Sequence, residues 1–112
     1  GYKASKTSLV YFAKRGGQII YVGITNNFAR RAAQHLAKKG ISIQKIRGLS
    51  NLTRQQARGV EQALIEIYGL GGKKFQTGKL LNRINSIAET NPIYAESVKQ
   101  GYEILKKIGY KF

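Results

Sequence analysis

LVYFAKRGGQIIYVGITNNFARRAAQH, the stretch from Leu9 to His35, decides the fold of this chain. It contains two apolar runs rich in β-branched and aromatic residues, Leu9 to Ala13 and Gln18 to Gly23. The four residues between the runs include two glycines, which is typical of a hairpin turn. We therefore predict two antiparallel strands that place Tyr11 and Tyr21 on one small sheet.

A basic helix is predicted directly after the hairpin. Asn26 or Asn27 can cap its N-terminus, residues 28–39 form its body, and Gly40 can end it. The β-branched run from Ile41 to Ile46 then predicts a short third strand.

A second helix is predicted from Arg54 to Tyr68. Thr53 and Gln56 have the spacing of a capping box, and Gly69 can terminate the helix. The glycine-rich segment from Gly69 to Lys79 predicts a flexible surface loop.

A closing amphipathic helix is predicted from about residue 93 to residue 108, with Gly101 a weak point inside it. The chain of 112 residues is thus predicted to be a single domain, with its core in residues 8–88. The fold class expected is α+β: a small, mainly antiparallel three-stranded sheet flanked by helices, with an added C-terminal helix.

The charge balance predicts a polyanionic partner. Twenty Lys and Arg residues against five acids give a formal net charge of +15, and the basic residues are spread along the whole chain. This distribution favours a folded basic surface that binds nucleic acid. No apolar run is long enough to span a membrane. The absence of cysteine excludes disulfides and thiolate zinc sites.

The scarcity of acidic and histidine residues narrows the possible chemistry. All five acids are glutamates, and there is one histidine, His35. A site with two metal ions needs several carboxylates, which this chain would struggle to supply. A ribonuclease with paired histidines is excluded.

Glu61 is the glutamate that stands out on the second predicted helix. An apolar stripe of that helix faces the sheet, and Glu61 projects beside the stripe, whereas Gln62 and Glu66 are predicted on the opposite, solvated side. A carboxylate at a buried edge needs a partner. In the ordinary structural explanation the partner is a basic residue. In the functional explanation Glu61 binds a metal ion or acts as a general base.

These residues resemble the GIY-YIG nuclease domain. The segments Leu9-Val10-Tyr11 and Tyr21-Val22-Gly23 stand where the family has its two motifs, although Leu9 replaces a glycine. Arg31 and His35, one helical turn apart, fall where the family has its helix arginine and a His or Tyr. Glu61 matches the metal-binding glutamate. The resemblance also implies an asparagine, for which Asn82 is preferred and Asn85 is the alternative.

The second half of the chain resembles the C-terminal toxin domains of bacterial contact-dependent inhibition and Rhs systems. The segments that carry this resemblance are ARGVEQALIEIYG, LLNRINSI and NPIY. The resemblance implies a cognate immunity protein, which we expect to be acidic. Because the chain has no methionine, we expect it to be a piece of a longer polypeptide. The resemblance implies that it is the C-terminal part of a larger secreted or surface-displayed protein and that it acts in the cytoplasm of a target cell.

The function expected from these resemblances is metal-dependent hydrolysis of nucleic-acid phosphodiester bonds, with DNA favoured over RNA. Glu61 would hold one Mg²⁺ or Mn²⁺ ion, and Tyr11, Tyr21, Arg31 and His35 would act on the phosphate and the attacking water. A metal-independent ribonuclease toxin that uses His35 and Glu61 is the first alternative. A non-catalytic nucleic-acid-binding module is the second. The residues expected to bind nucleic acid are Arg30, Arg31, Lys38, Lys39 and Arg47.

Overall fold

The computed structural model describes residues 7–112. Within them the chain forms three strands and three helices. The elements in order are β1 (Leu9–Arg15), β2 (Gln18–Thr25), α1 (Phe28–Lys39), β3 (Ile43–Lys45), α2 (Arg54–Tyr68) and α3 (Tyr94–Lys107). The sheet order is β2-β1-β3, and both pairings are antiparallel. The predicted α+β fold is confirmed. No helix of the described residues has the length and apolarity to cross a bilayer.

The hairpin is longer and tighter than predicted. Its strands continue to Arg15 and Thr25, so that Gly16 and Gly17 alone form the turn, both with positive φ (59° and 78°). Positive φ at both central positions is the conformation that matches the twist of paired strands. The pairing register shifts between Ala13 and Lys14.

The helix boundaries follow the predicted capping residues. Asn27 is the N-cap of α1, where its side chain accepts a hydrogen bond from the backbone N–H of Arg30, and Gly40 ends α1 with a φ of 62°. Thr53 and Gln56 form both bonds of the capping box of α2. The third strand is shorter than expected and comprises only Ile43–Lys45. Ile41 and Ile46 are buried in the core on either side of it, and the N–H of Ile46 still donates to the carbonyl of Val10 in β1 at 3.3 Å.

The two faces of the sheet carry different helices. Side chains alternate between the faces along a strand, so Val10 and Val22 pack with α2 and α3, whereas Tyr11 and Ala13 pack on the side of α1. Tyr21 of β2 packs on the side of α1, and the α2 and α3 layer lies on the other face of the sheet.

The contact between α2 and α3 depends on two glycines. A Cβ on Gly59 would overlap the carbonyl oxygen of Ser97, and a Cβ on Gly101 would overlap the carbonyl oxygen of Gly59. Gly101, predicted as a weak point, is instead where the two helices approach most closely. The α3 helix also covers Gln62, which is only 1% exposed, so the predicted solvated position of Gln62 was wrong.

The glycine-rich segment after α2 is closely packed against its neighbours. A Cβ on Gly71 would overlap the carbonyl oxygen of Gly78, and one on Gly78 would overlap the backbone of Gly69. Backbone hydrogen bonds join Gly78 to Leu70 and Leu80 to Gly69. The glycines are thus required by close packing of backbone on backbone, a role that the prediction of a flexible loop did not include.

The free edge of β2 is covered by the segment that follows this loop. The backbone N–H of Leu81 donates to the carbonyl of Ile20 at 2.6 Å. The side chain of Asn82 accepts from the N–H of Val22 at 3.1 Å and donates to its carbonyl at 2.8 Å. An exposed strand edge is a template for pairing with another chain, and here residues 81 and 82 satisfy part of it.

Candidate active site

Tyr11 and His35 form a buried hydrogen-bonded pair between β1 and α1. Tyr11 is 1% exposed and His35 is 6% exposed, and the Tyr11 Oη lies 2.9 Å from the His35 Nε2. Burial raises the pKa of Tyr11 to about 12. Burial, helped by the charges of Lys39 and Arg31, lowers the pKa of His35. At neutral pH the pair is therefore a neutral phenol beside a neutral imidazole.

Tyr21 completes an aromatic cluster with this pair. Its ring centroid lies 4.9 Å from that of His35 and 6.4 Å from that of Tyr11. The Nζ of Lys39 lies 5.0 Å from the centroid of the Tyr21 ring, within the range of a cation–π contact. Burial, followed by the charge of Glu61, raises the pKa of Tyr21. Unlike Tyr11, Tyr21 is only half-buried.

Gly23 makes room for the side chain of Tyr11. The two residues are cross-strand partners, and a Cβ on Gly23 would lie far inside van der Waals contact with the phenol of Tyr11. The glycine of the segment Tyr21-Val22-Gly23 is thus required for steric reasons, because only glycine leaves room for the Tyr11 hydroxyl to reach His35.

We expect Gly23→Ala to displace the Tyr11 ring and break its hydrogen bond with His35. Overpacking of this kind costs roughly 1–3 kcal/mol of stability. The imidazole ¹⁵N chemical shifts of His35, measured by NMR, should change with the loss of the bond, and nuclease activity should fall. Unchanged His35 shifts in a fully active variant would contradict this role for Gly23.

Glu61 lies half-buried on α2, on the other side of β2. Burial raises the pKa of its carboxyl group. A hydrogen bond with Ser86 and the charges of Arg58, Arg54 and Arg31 oppose the shift without cancelling it. Glu61 is therefore a carboxylate whose charge is incompletely compensated, as expected of a group that binds a further cation.

The two candidate asparagines have different environments. Both polar groups of the Asn82 side chain are bonded to the backbone of Val22, so Asn82 holds its segment on the edge of β2. The Oδ1 of Asn85 accepts a hydrogen bond from Gln62 at 2.9 Å. Both residues line the same cleft as Glu61.

Two adjoining clefts bring these groups to one surface. The main cleft, of about 680 Å³, lies between α2 and the segment after the glycine loop, and Glu61 lies in its lining. The minor cleft, of about 170 Å³, lies along α1, and His35 and Arg31 are part of its lining. Tyr21 and Lys39 line both clefts. The main cleft is lined by Tyr21, Ile24, Lys39, Arg54, Arg58, Glu61, Lys73, Leu81, Asn82, Arg83, Ile84, Asn85 and Ser86.

The predicted nucleic-acid-binding residues are only partly gathered here. Arg31, Lys38 and Lys39 line the minor cleft. Arg30 and Arg47 are exposed and do not occur among the lining residues of either cleft, so their role stays a prediction.

Sequence reasoning missed the basic residues of the main cleft, which are Arg54, Arg58, Lys73 and Arg83. Two of them could have been found. Arg54 and Arg58 precede Glu61 by seven and three residues, the spacing of side chains on one face of a helix. Lys73 and Arg83 could not, since their position depends on the path of an irregular segment.

The comparisons with known proteins agree with this geometry. The family model described as the GIY-YIG catalytic domain matches residues 8–69, more than half of the chain. The chain therefore belongs to the GIY-YIG family and is a nuclease, a hydrolase that acts on nucleic acids. Among the curated proteins and the solved structures that were compared, none gave a significant match.

The residues of the main cleft fit one weakly held divalent cation. Nucleases of this family generally use divalent metal ions. The described residues contain no group of three or more His, Cys, Asp or Glu side chains that could enclose a metal. Mg²⁺, however, is commonly bound by one or two carboxylates together with water and substrate phosphates. Glu61, with its incompletely compensated charge, meets that requirement.

Proposed function

We propose that this domain is a metal-dependent endonuclease that cleaves DNA and serves as an antibacterial toxin domain. One observation carries the catalytic part of the proposal: the His35 cluster and Glu61, which come from opposite sides of the sheet, open into two clefts that share Tyr21 and Lys39. A phosphodiester placed at Tyr21 would meet Arg31 on one side and Glu61 on the other.

In the proposed mechanism His35 accepts the proton of the attacking water. Burial keeps the imidazole neutral, so that it can act as a base. If the Tyr11 hydroxyl accepts a hydrogen bond from Nε2–H, the Nδ1 lone pair is the basic atom. Tyr11, at 1% exposure, is too deeply buried to orient the water as expected from the sequence. We assign it the positioning of His35, and we assign contact with the substrate to Tyr21.

Arg31 and Glu61 would act on the phosphate itself. Arg31 lines the minor cleft beside Tyr21 and would donate hydrogen bonds to the phosphate as its negative charge grows. Glu61 would hold one Mg²⁺ or Mn²⁺ ion, which when bound supplies charge stabilisation at the scissile phosphate and the leaving oxygen.

The test of the catalytic proposal is plasmid cleavage with Mg²⁺ and with EDTA. We expect cleavage only with the metal. Cleavage of RNA that persists in EDTA would favour the metal-independent ribonuclease. Salt-sensitive binding without any product, at every metal concentration, would favour the non-catalytic binding module.

We expect Arg31→Ala to lower the rate of cleavage about 10²-fold, the typical effect of removing one donor to a developing negative charge. Arg15→Ala is the matched control, because Arg15 is exposed beside the hairpin turn and its substitution removes the same charge. Initial rates on the same plasmid would be compared. Equal rates for the two variants would remove Arg31 from the site.

The toxin part of the proposal is supported by the resemblance of the second half of the chain to polymorphic toxin domains and by the net charge of +15. The domain would be the C-terminal part of a larger secreted or surface-displayed bacterial protein and would act in the cytoplasm of the target cell. An acidic immunity protein would be attracted by the same basic surface as the substrate. Induced production of the domain in bacteria should stop growth and degrade DNA, whereas continued growth with intact DNA would refute this role.

A further inference from the structure

Part of the lining of the main cleft is apolar. Ile84 is 69% exposed, Leu81 is 41% exposed, and both line the cleft together with Ile24 of β2. Single exposed apolar residues need no explanation. Here, however, two exposed apolar residues and the half-buried Ile24 line a cleft that also contains four arginine and lysine side chains from α2 and the segment after it. A binding site with both apolar and cationic groups suits a ligand that has both kinds of group.

The chain holds these apolar residues outward. Residues 81 and 82 are bonded to β2, and the N–H of Ile87 donates to the Oε1 of the buried Gln62 at 3.0 Å. Leu80 and Ile87, at the ends of the segment, are buried in turn (0% and 1% exposed). Anchored at both ends, the segment turns Ile84 towards the cleft rather than into the core.

A second exposed apolar group lies two residues beyond the cleft-lining Lys73. Phe75 is 90% exposed and has a φ of 74°, a conformation that is unfavourable for a bulky residue. Gln76 fixes it there: its Oε1 accepts from the N–H of Lys73 at 2.7 Å, and its Nε2 donates to the carbonyl of Arg83 at 3.1 Å. An aromatic ring held in solvent beside lysines is a platform on which a base can stack.

We propose that the main cleft binds an unpaired nucleotide, so that the preferred substrate is single-stranded or locally unpaired nucleic acid. This inference rests on the proposed nuclease function. The phosphates would contact Arg54, Arg58 and Lys73, and the base would lie against Ile84 and Leu81, with Phe75 available to a neighbouring base. A regular duplex presents its phosphates outward and its bases stacked inside, so it would leave the apolar residues of the cleft without a partner. A volume of about 680 Å³ is that of a small-molecule pocket.

The test compares single-stranded and duplex oligonucleotides of one sequence, in both DNA and RNA, with Mg²⁺. We expect the single strand of the preferred sugar to be cleaved at least about ten times faster than its duplex. Comparison of the DNA strand with the RNA strand shows whether the unpaired nucleotide is a deoxyribonucleotide or a ribonucleotide. Equal or faster cleavage of the duplex would overturn the inference and leave the nuclease function intact.

Binding separates this inference from the nuclease proposal. If no oligonucleotide is cleaved, the nuclease proposal fails. Fluorescence anisotropy in EDTA still decides what the cleft binds. Tighter binding of the single strand than of the duplex supports the inference, and tighter or equal binding of the duplex overturns it.

Variants of the exposed apolar residues test whether these residues cause the preference for single-stranded over duplex nucleic acid. Ile84→Ser and Phe75→Ala alter exposed side chains, so the fold should persist, and each should weaken single-strand binding about tenfold with little effect on the duplex. Phe112→Ala is the matched control: Phe112 is 58% exposed and lies against Tyr102 and Tyr110 at the end of the chain. An unchanged single-strand preference in both the Ile84→Ser and the Phe75→Ala variant would contradict the proposal.

Discussion

Replacing Glu61 with glutamine is expected to abolish cleavage and at the same time to stabilise the domain. The amide is nearly isosteric with the carboxyl group but cannot neutralise a divalent cation. A metal ion supplies several kcal/mol of charge stabilisation in the transition state, so the rate should fall by about 10³-fold or more. The stability of the variant should rise because the half-buried charge of Glu61 is incompletely compensated.

The stabilisation should depend on pH in a defined direction. Burial raises the pKa of Glu61 in the folded state above its ordinary value. The folded state therefore holds the proton more tightly than the unfolded state, and the carboxylate destabilises the wild type at neutral pH. We expect Glu61→Gln to gain about 1 kcal/mol at pH 7, or roughly 5 °C in Tm. The gain should shrink as the pH falls towards the ordinary glutamate pKa.

The measurements are cleavage rates and thermal unfolding at several pH values. Glu103→Gln is the matched control. Glu103 is exposed on α3, far from the clefts, and its substitution is the same chemical change. The control should keep its activity and a nearly unchanged Tm. A Glu61→Gln variant that cleaves normally, or that is less stable than the wild type at pH 7, would show that the carboxylate serves the fold rather than the reaction.

Gly101→Ala is expected to destabilise the domain by about 2 kcal/mol, although alanine is the better helix former. In an exposed helix the change would gain about 1 kcal/mol. Here the new methyl group would overlap the carbonyl oxygen of Gly59, a backbone atom that cannot rotate away. The helices must separate, which weakens the packing of Val98 and Leu105. Overpacking costs of up to about 3 kcal/mol exceed the gain in propensity.

Thermal unfolding would show this effect as a fall in Tm of roughly 10 °C. Gln100→Ala is the control in the same helix, since Gln100 is exposed and its change should matter by no more than about 0.5 kcal/mol. A Gly101→Ala variant as stable as the wild type would mean that the helices can move apart without cost.

The elements that depend on local signals could be predicted from the sequence. The hairpin glycines, Asn27, the capping box at Thr53 and the glycines after α1 and α2 each specify a backbone conformation by themselves, and all are found where expected. The number of strands and their antiparallel pairing follow from the same signals. The short length of the third strand could not be predicted from these signals, because an apolar run alone does not show how many of its residues pair with a neighbouring strand.

The candidate site likewise has a part that local signals predict and a part that depends on long-range packing. The placement of Tyr11 and Tyr21 on one face of the sheet follows from the hairpin register, whereas His35 reaches them because α1 packs on that face. The burial of Gln62 required knowledge of α3, which packs on that side of α2 through glycines that gave no apolar signal. The deep burial of Tyr11, which changes its proposed role, depends equally on long-range packing.

The main cleft joins two stretches of sequence that are attached to each other through both backbone and side-chain bonds. Tyr21 and Glu61 lie inside the family match at residues 8–69, whereas Ile84 and Arg83 lie beyond it. Asn82 attaches the second stretch through backbone atoms of Val22, which every amino acid possesses. The Asn82 bonds therefore place no demand on the side chain at position 22, whereas Asn85 and Ile87 depend on the side chain of Gln62 and the carbonyl of Ser86 depends on Arg58. A substitution of Gln62 or Arg58 on α2 would thus alter the lining of the cleft through the second stretch, without touching Tyr21 or Glu61.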